Sequence, residues 1–405
     1  MVNEQRRVVV TGMGIVASNG IGKKAFTEAM FEGKSGVTEI DLFDAKDYRI
    51  DRAAYIKEVK KIESDERKDR VYQILDIACS ELMESSNIDF SKENLEEIGV
   101  SLGTCLGNVD CIDKYIRSKV NQDKNNNVGE IIDQPHINLA IYIANKYNLK
   151  NVVSVVDTAC ASGTNAIGYA LDRIKFGDAQ VMVAGGVDPF SRLSQSGFGG
   201  LKSLSVNKTR PFTKDRNGLI LGEGGGLILL EELNHAIARN ATIYAEIIGY
   251  GLSNDAYHET TPDPNGGGAE LAIRNCILDA EISYDRVSYI NAHGTGTVFN
   301  DAMELKAIQN VFKDRAKEIP ISTIKPLVGH TLGAAGSIEL VAAILSLTHD
   351  KIPATINFTE AMEGYKEFDF VQNTSREEGN LDVILSNSFA FGGNGACIAV
   401  AKYKE

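Results

Sequence analysis

Tryptophan is missing from this 405-residue chain, basic residues are outnumbered, and none of its six cysteines forms a CxxC pair. Each shortage excludes something. Fifteen Phe and 14 Tyr supply core material in place of indole, and 43% hydrophobic with 24% charged residues describes a globular chain. A coiled coil, a disordered tail and a collagen-like rod are excluded. The 42 basic against 55 acidic residues give a net charge of −13, which repels nucleic acid and anionic membrane, so neither is expected as a partner. Glu4 and two arginines lead straight into Val8-Val9-Val10, leaving no apolar leader or cleavage site to draw. The longest apolar helix, expected over 332–347, contains Gly336 and Glu339 and reads as too short and interrupted to span a bilayer. A cytosolic chain with free thiols is the expectation, with Cys79, Cys105, Cys111, Cys276 and Cys397 acting as small core hydrophobes.

β-branched runs alternate with helical patterns, with strands expected over 7–11, 99–103, 152–156, 181–184, 227–231, 243–248, 288–292, 321–324 and 383–387. That pattern predicts a layered α/β protein. The run 152–156 with its small-residue helix 161–174 echoes 320–324 with the helix 333–347. Two duplicated halves meeting near residues 232–242 are therefore expected. The polar, Asn-rich stretch 121–127 reads as a solvated loop.

Gly12-Met13-Gly14-Ile15-Val16-Ala17 matches a loose dinucleotide fingerprint, but Ser18-Asn19-Gly20 interrupts the helix such a site needs. The glycines at 222 and 224–226 precede a strand instead of a helix, which fits close backbone packing better than phosphate binding. The informative segment is Val155 to Gly163, where a β run gives way to a Gly/Ala helix with Cys160 at the junction. A helix N-terminus there would favour the thiolate. Taken alone, such a cysteine is still more often a packing residue, so its partners must decide.

Those partners come from the C-terminal half. His293, in Asn-Ala-His-Gly-Thr-Gly-Thr, and His330, five residues after Lys325, each follow a short strand beside glycines and hydroxyls. A zinc site from His258, His293 and His330 lacks short ligand spacing, and no metal is expected. The turn Phe391-Gly392-Gly393 exposes backbone N–H groups suited to an oxyanion hole; a tight hairpin is the alternative.

With Cys160, His293, Lys325, His330 and Phe391-Gly392-Gly393 in this order, the whole chain resembles an elongating β-ketoacyl-acyl carrier protein synthase of the thiolase-like superfamily. Arg210-Pro211-Phe212, Asp255-Ala256-Tyr257-His258 and Gly333-Ala334-Ala335-Gly336 add to the likeness. The resemblance implies a five-layered αβαβα fold. Residues 1–238 would form the half with the nucleophile and acyl pocket, and 239–405 the half with the catalytic His and Lys. It implies that Cys160 takes an acyl chain from the phosphopantetheine of an acyl carrier protein, with no cofactor bound by the enzyme itself. Malonyl-carrier protein then loses CO2, its enolate steadied by His293 and His330, and the carbanion attacks the acyl-Cys.

By the same resemblance, Lys325 orders the site, Phe391 serves as gate, and the Cys160 and Phe391 amides hold an oxyanion. Thr295 and Thr297 would bind the pantetheine amides, Thr260 and Thr261 the entrance, and Leu106 and Phe198 the acyl chain. Asp301 and Glu304 would stand behind His293, with Glu304 hydrogen-bonding near Lys325. Arg67, Lys68 and Lys202 would dock the acidic carrier. Ala390, Asn394-Gly395 and the loop 105–110 depart from fatty-acid elongation enzymes. They favour a type II polyketide or polyene ketosynthase, either a homodimer or a heterodimer with a chain-length factor. A silent partner subunit and a degradative thiolase using Cys397 are the competing expectations; the retained Cys160 argues against the first, and the strand around Cys397 against the second.

Overall fold

The computed structural model describes residues 6–59, 69–122 and 135–404. Ten strands form its main ladder. The first half supplies β1 (Val8–Ala17), β2 (Ile98–Gly103), β3 (Val153–Val156), β4 (Val181–Asp188) and β5 (Gly224–Glu232). The second supplies β6 (Ala245–Asn254), β7 (Val287–Asn291), β8 (Ile321–Ser322), β9 (Val383–Phe389) and β10 (Asn394–Ala401).

The ladder runs β3-β2-β4-β5-β1-β6-β10-β9-β7-β8, so each half has the order third, second, fourth, fifth, first. Pairing senses match as well: β2 lies parallel to β3 and β4, as β7 does to β8 and β9, while the remaining pairs within each half are antiparallel. One topology occurs twice. The halves meet antiparallel where Val9 pairs with Glu246 and Val10 with Ala245.

Helices complete the layers. α1 (Arg70–Ser86) covers β1 and β5 from outside, and α6 (Gly267–Asp279) covers β6 and β10. Before α6 in the chain come α2 (Val109–Val120), α3 (Ile137–Tyr147), α4 (Ser162–Lys175) and α5 (Arg192–Gly200). After it come α7 (Val298–Phe312) and α8 (Ala335–His349). Between the two halves of the ladder lie α4 and α8, each touching strands of both. This is the αβαβα stack.

Small residues let the layers close up, since a Cβ on Gly163 would come within 2.8 Å of the Gly333 carbonyl, and one on Gly226 within 2.8 Å of the Ile338 amide. Gly12 and Gly14 lie inside β1, not at a strand-to-helix turn, and a Cβ on Gly14 would strike the Ala78 carbonyl of α1. Close packing is their use.

Two expectations change. The strand expected over 321–324 stops at Ser322, because 325–328 winds into a helical turn with Pro326 near its start. The helical stretch Leu332–His349 is, at 18 residues, long and apolar enough to cross a bilayer by composition, against the expectation; here 89% of it is buried inside the fold, as the core helix between the two halves of the ladder. Of the Asn-rich stretch, residues from Asp123 onward lie outside the described residues.

Candidate active site

β3 ends at Val156, and the chain turns sharply through 157–161 before α4 begins. Ala159 takes a left-handed φ of 52°, a strained conformation for alanine, immediately before Cys160. Ser162 stabilises the turn by accepting from the Thr158 amide at 2.9 Å and donating to the Ala159 carbonyl at 2.6 Å. The sulfur is thereby held at the mouth of α4, nearly buried.

A cavity of about 110 Å³ opens onto it, lined also by His293, His330, Thr295, Thr297 and Phe391. Residues far apart in sequence converge there because both halves end their parallel strands on this side. His293 follows β7, and His330 follows the turn after β8, matching the position of Cys160 after β3. The two imidazole centroids are 5.4 Å apart and nearly perpendicular.

Their hydrogen bonds fix their tautomers. The Lys325 ammonium can only donate, so His293 Nδ1, 3.2 Å away, accepts. His330 Nδ1 accepts from the Leu332 amide at 3.3 Å. Each ring therefore keeps its proton on Nε2. Burial, reinforced by the Lys325 charge, holds both histidines well below their usual pKa, so both are neutral at pH 7. Two neutral N–H donors can polarise a thioester carbonyl and stabilise the enolate it becomes.

The lysine's own counter-ion is Glu339 of α8, in a fully buried pair. Glu304 was expected near Lys325, but its carboxylate is taken up by the His293 and Gly294 amides at 2.8 Å each, with Asn387 Nδ2 at 3.3 Å. Asp301 does similar work one turn earlier, accepting from the Gly296 and Phe212 amides. These acids fix the loop carrying His293. Glu339 was missed as a partner, although a lone acid in an apolar helix is a signal that a buried cation awaits it. Asp188 was missed too: at the end of β4 it accepts from Thr104 Oγ1 and the Cys105, Leu106 and Gly333 amides, joining the segments at 104–106 and 333.

The thiol departs from its expected acidity. Burial pushes Cys160 up to about 12, against the favourable Lys325 charge, so the resting site holds a thiol. Placement at a helix start does not outweigh desolvation here.

Around the cavity, Thr295 and Thr297 hydrogen-bond each other at 2.8 Å, and Thr260 and Thr261 line the entrance with their amides on His258 Nδ1. Phe198 of α5 stacks on Phe391 with centroids 5.8 Å apart, closing one side. The Phe391 turn is tied to the facing loop by Asn254 Nδ2 donating to the Gly392 carbonyl, the Asp255 amide to Gly393 and the Gly392 amide to Glu259. Leu106 does not line this cavity; it packs, as Phe198 also does, against a cluster that includes Phe43 and Phe190. Lys202 is exposed one residue before cavity-lining Ser203. Arg67 and Lys68 lie outside the described residues. Cys397 sits inside β10 with its side chain against Cys276, away from the cavity.

Family models for the β-ketoacyl synthase N-terminal and C-terminal domains match residues 5–236 and 244–359. The chain is 37% identical to a 3-oxoacyl-[acyl-carrier-protein] synthase 2 of Coxiella burnetii, covering 98% of this chain and 99% of that one. It is 35% identical to the protein of the same name from Vibrio harveyi, covering 99% and 100%. Among solved structures, the ishigamide ketosynthase/chain length factor superposes with a TM-score of 0.93 at 30% identity, over 99% of this chain and 100% of that one. A type II polyketide ketosynthase in complex with its acyl-carrier protein and bound to the hexaketide gives 0.92 at 29%, over 99% and 100%.

Proposed function

The chain belongs to the β-ketoacyl synthase family, and we propose that Cys160, His293, His330 and Lys325 carry out its condensation. It is a β-ketoacyl-acyl carrier protein synthase, an acyltransferase of fatty-acid or polyketide chain elongation. What carries the assignment of roles is the convergence of one thiol and two neutral imidazoles on a single cavity.

In the first half-reaction the Cys160 sulfur attacks the acyl thioester carbonyl of the carrier. A new C–S bond forms, and the carrier's phosphopantetheine thiol leaves with the proton that Cys160 gives up. In the second, malonyl-carrier protein binds with its thioester oxygen facing the two Nε2–H groups. The C–C bond to its carboxylate breaks and releases CO2. The electron pair left behind is held as enolate by His293 and His330, and then forms the new C–C bond at the acyl-Cys carbonyl, expelling the Cys160 sulfur. Substrates arrive on the carrier's phosphopantetheine, so the enzyme needs no cofactor of its own.

Ala390 and the shortened polar content of the turn at Asn394-Gly395 support a type II polyketide or polyene pathway. Residues 1–238 act as the half bearing the nucleophile and 239–405 as the half bearing the histidines. The protein works as a homodimer, or as a heterodimer with a chain-length factor. Among the described residues β3 has a strand neighbour on one side only, and Ile116, Val120, Ile137 and Ile141 are exposed on α2 and α3. The six cysteines, all among the described residues, form no disulfide, which fits a cytosolic location.

Incubation with an acyl-carrier protein should add one acyl group to Cys160, and Cys160→Ala should lose both the adduct and condensation. An unchanged mass in the presence of competent carriers would remove the assignment. His293→Ala and His330→Ala should still be acylated but release CO2 from malonyl-carrier protein slowly.

A further inference from the structure

We propose that Val298 and Phe299 form an apolar lip on which the acidic carrier protein docks, with Lys202 as a flanking cation; this rests on the ketosynthase reading above and assigns its partner a surface. Both side chains lie in the first turn of α7 and are left in water, Val298 53% and Phe299 63% exposed. Adjacent large apolar groups kept at the surface mark a contact site when they border a functional opening. Phe299 does border one, because it lines the cavity that reaches Cys160.

The geometry of delivery fixes the partner's position. An arm threaded past Thr295 and Thr297 towards the sulfur leaves the body of its carrier outside the opening, over the residues that follow those threonines. Those residues are Val298 and Phe299. The turn is also held in place beforehand: the Arg216 guanidinium donates to the Thr297 carbonyl at 3.3 Å and to the Val298 carbonyl at 2.8 Å. A contact surface that needs no ordering binds with less entropic loss.

Charge adds to the choice of the side carrying Lys202. The loop from Asp255 through Glu259 to Asp263, whose Asp255 and Asp263 line the same cavity, carries the same sign as an acidic carrier. Arg216 and exposed Lys202 stand on the side of Phe299 and Ser203. An acidic helix is repelled by the loop 255–263 and attracted towards Arg216 and Lys202.

The test uses a purified bacterial type II acyl carrier protein in its apo form, which has no arm to enter the cavity. Phe299→Ser should weaken its binding about tenfold, the effect of removing one central aromatic anchor. Phe299→Asp should weaken it further, and Phe299→Leu should restore most of the affinity. With malonyl-carrier protein the Phe299→Ser loss should fall on KM, leaving kcat in place. Phe176→Ser, at an exposed site beyond the far end of α4, should bind as wild type. Equal apo-carrier affinity for wild type and Phe299→Ser, with wild-type Cys160 still acylated by the carrier, overturns the lip alone. A wild-type protein that no carrier acylates overturns the ketosynthase reading beneath it.

Discussion

The Lys325 ammonium stands 3.2 Å from His293 Nδ1 and is paired with the Glu339 carboxylate, all three side chains being closed off from solvent. The lysine thus sets which nitrogen of His293 faces the substrate, and the glutamate keeps the lysine in place. Neither needs to touch the substrate to matter.

Replacing Lys325 by Met removes the donor that fixes the His293 tautomer and leaves Glu339 without its counter-ion. Release of CO2 from malonyl-carrier protein should drop about 10²–10³-fold, as for loss of one preorganised donor. Cys160 acylation should fall far less. Denaturant unfolding should show a loss of about 3–5 kcal/mol, partly recovered in Lys325→Met/Glu339→Gln, where the orphaned acid is gone. Equal damage to both half-reactions would contradict a positioning role.

Because burial pushes the resting Cys160 thiol up to about 12, its alkylation by iodoacetamide should climb steadily from pH 7 to 9. The rate should rise about tenfold per pH unit, following the thiolate fraction. A plateau below pH 8 would mean that the helix start, and not desolvation, governs the sulfur. The Cys160→Ala protein supplies the background from the other thiols.

Fully buried Glu231 gives the fold a pH dependence of its own. Burial alone would raise it, but hydrogen bonds from Arg239, His235 and Thr11 bring the carboxylate down to about 2. Its folded value lies below the unfolded one of about 4.3, so its contribution is complete above about pH 5 and is lost as pH falls towards 2. His235 is shifted the other way, raised by its bond to Glu231, so its contribution is present below about pH 6.5 and lost as pH climbs through the folded value. Urea titrations should show this cluster stabilising most between about pH 5 and 6.5. Glu231→Gln should flatten the acid limb and His235→Gln the alkaline one; parallel profiles for all three proteins would refute the linkage.

The two central helices meet without room for a side chain at Gly163, where a Cβ would press on the Gly333 carbonyl. Gly163→Val should therefore lower the midpoint of thermal unfolding by about 3–4 °C or more, or prevent soluble expression, an effect of overpacking of about 3 kcal/mol or above. An unaltered unfolding curve would show that the helices can part at no cost.

Much of this protein was written in local patterns. Alternating β runs and small-residue helices gave the layers, the echo of 152–174 in 320–347 gave the duplication, and Cys160, His293, Lys325 and His330 were visible because each stands where a strand gives way to a loop. Strand identity and hydrophobic pattern depend on near neighbours, which the sequence lists in order.

Pairing across the fold obeys different physics. That Lys325 meets Glu339 and not Glu304, that Asp188 gathers the segments at 104–106 and 333, and that Leu106 packs against the Phe43 and Phe190 cluster outside the cavity follow from where the two halves bring side chains together. The acidity of the sulfur belongs to the same class: charge near a helix start is local, but desolvation is set by every atom packed around it, and only the tertiary structure supplies those.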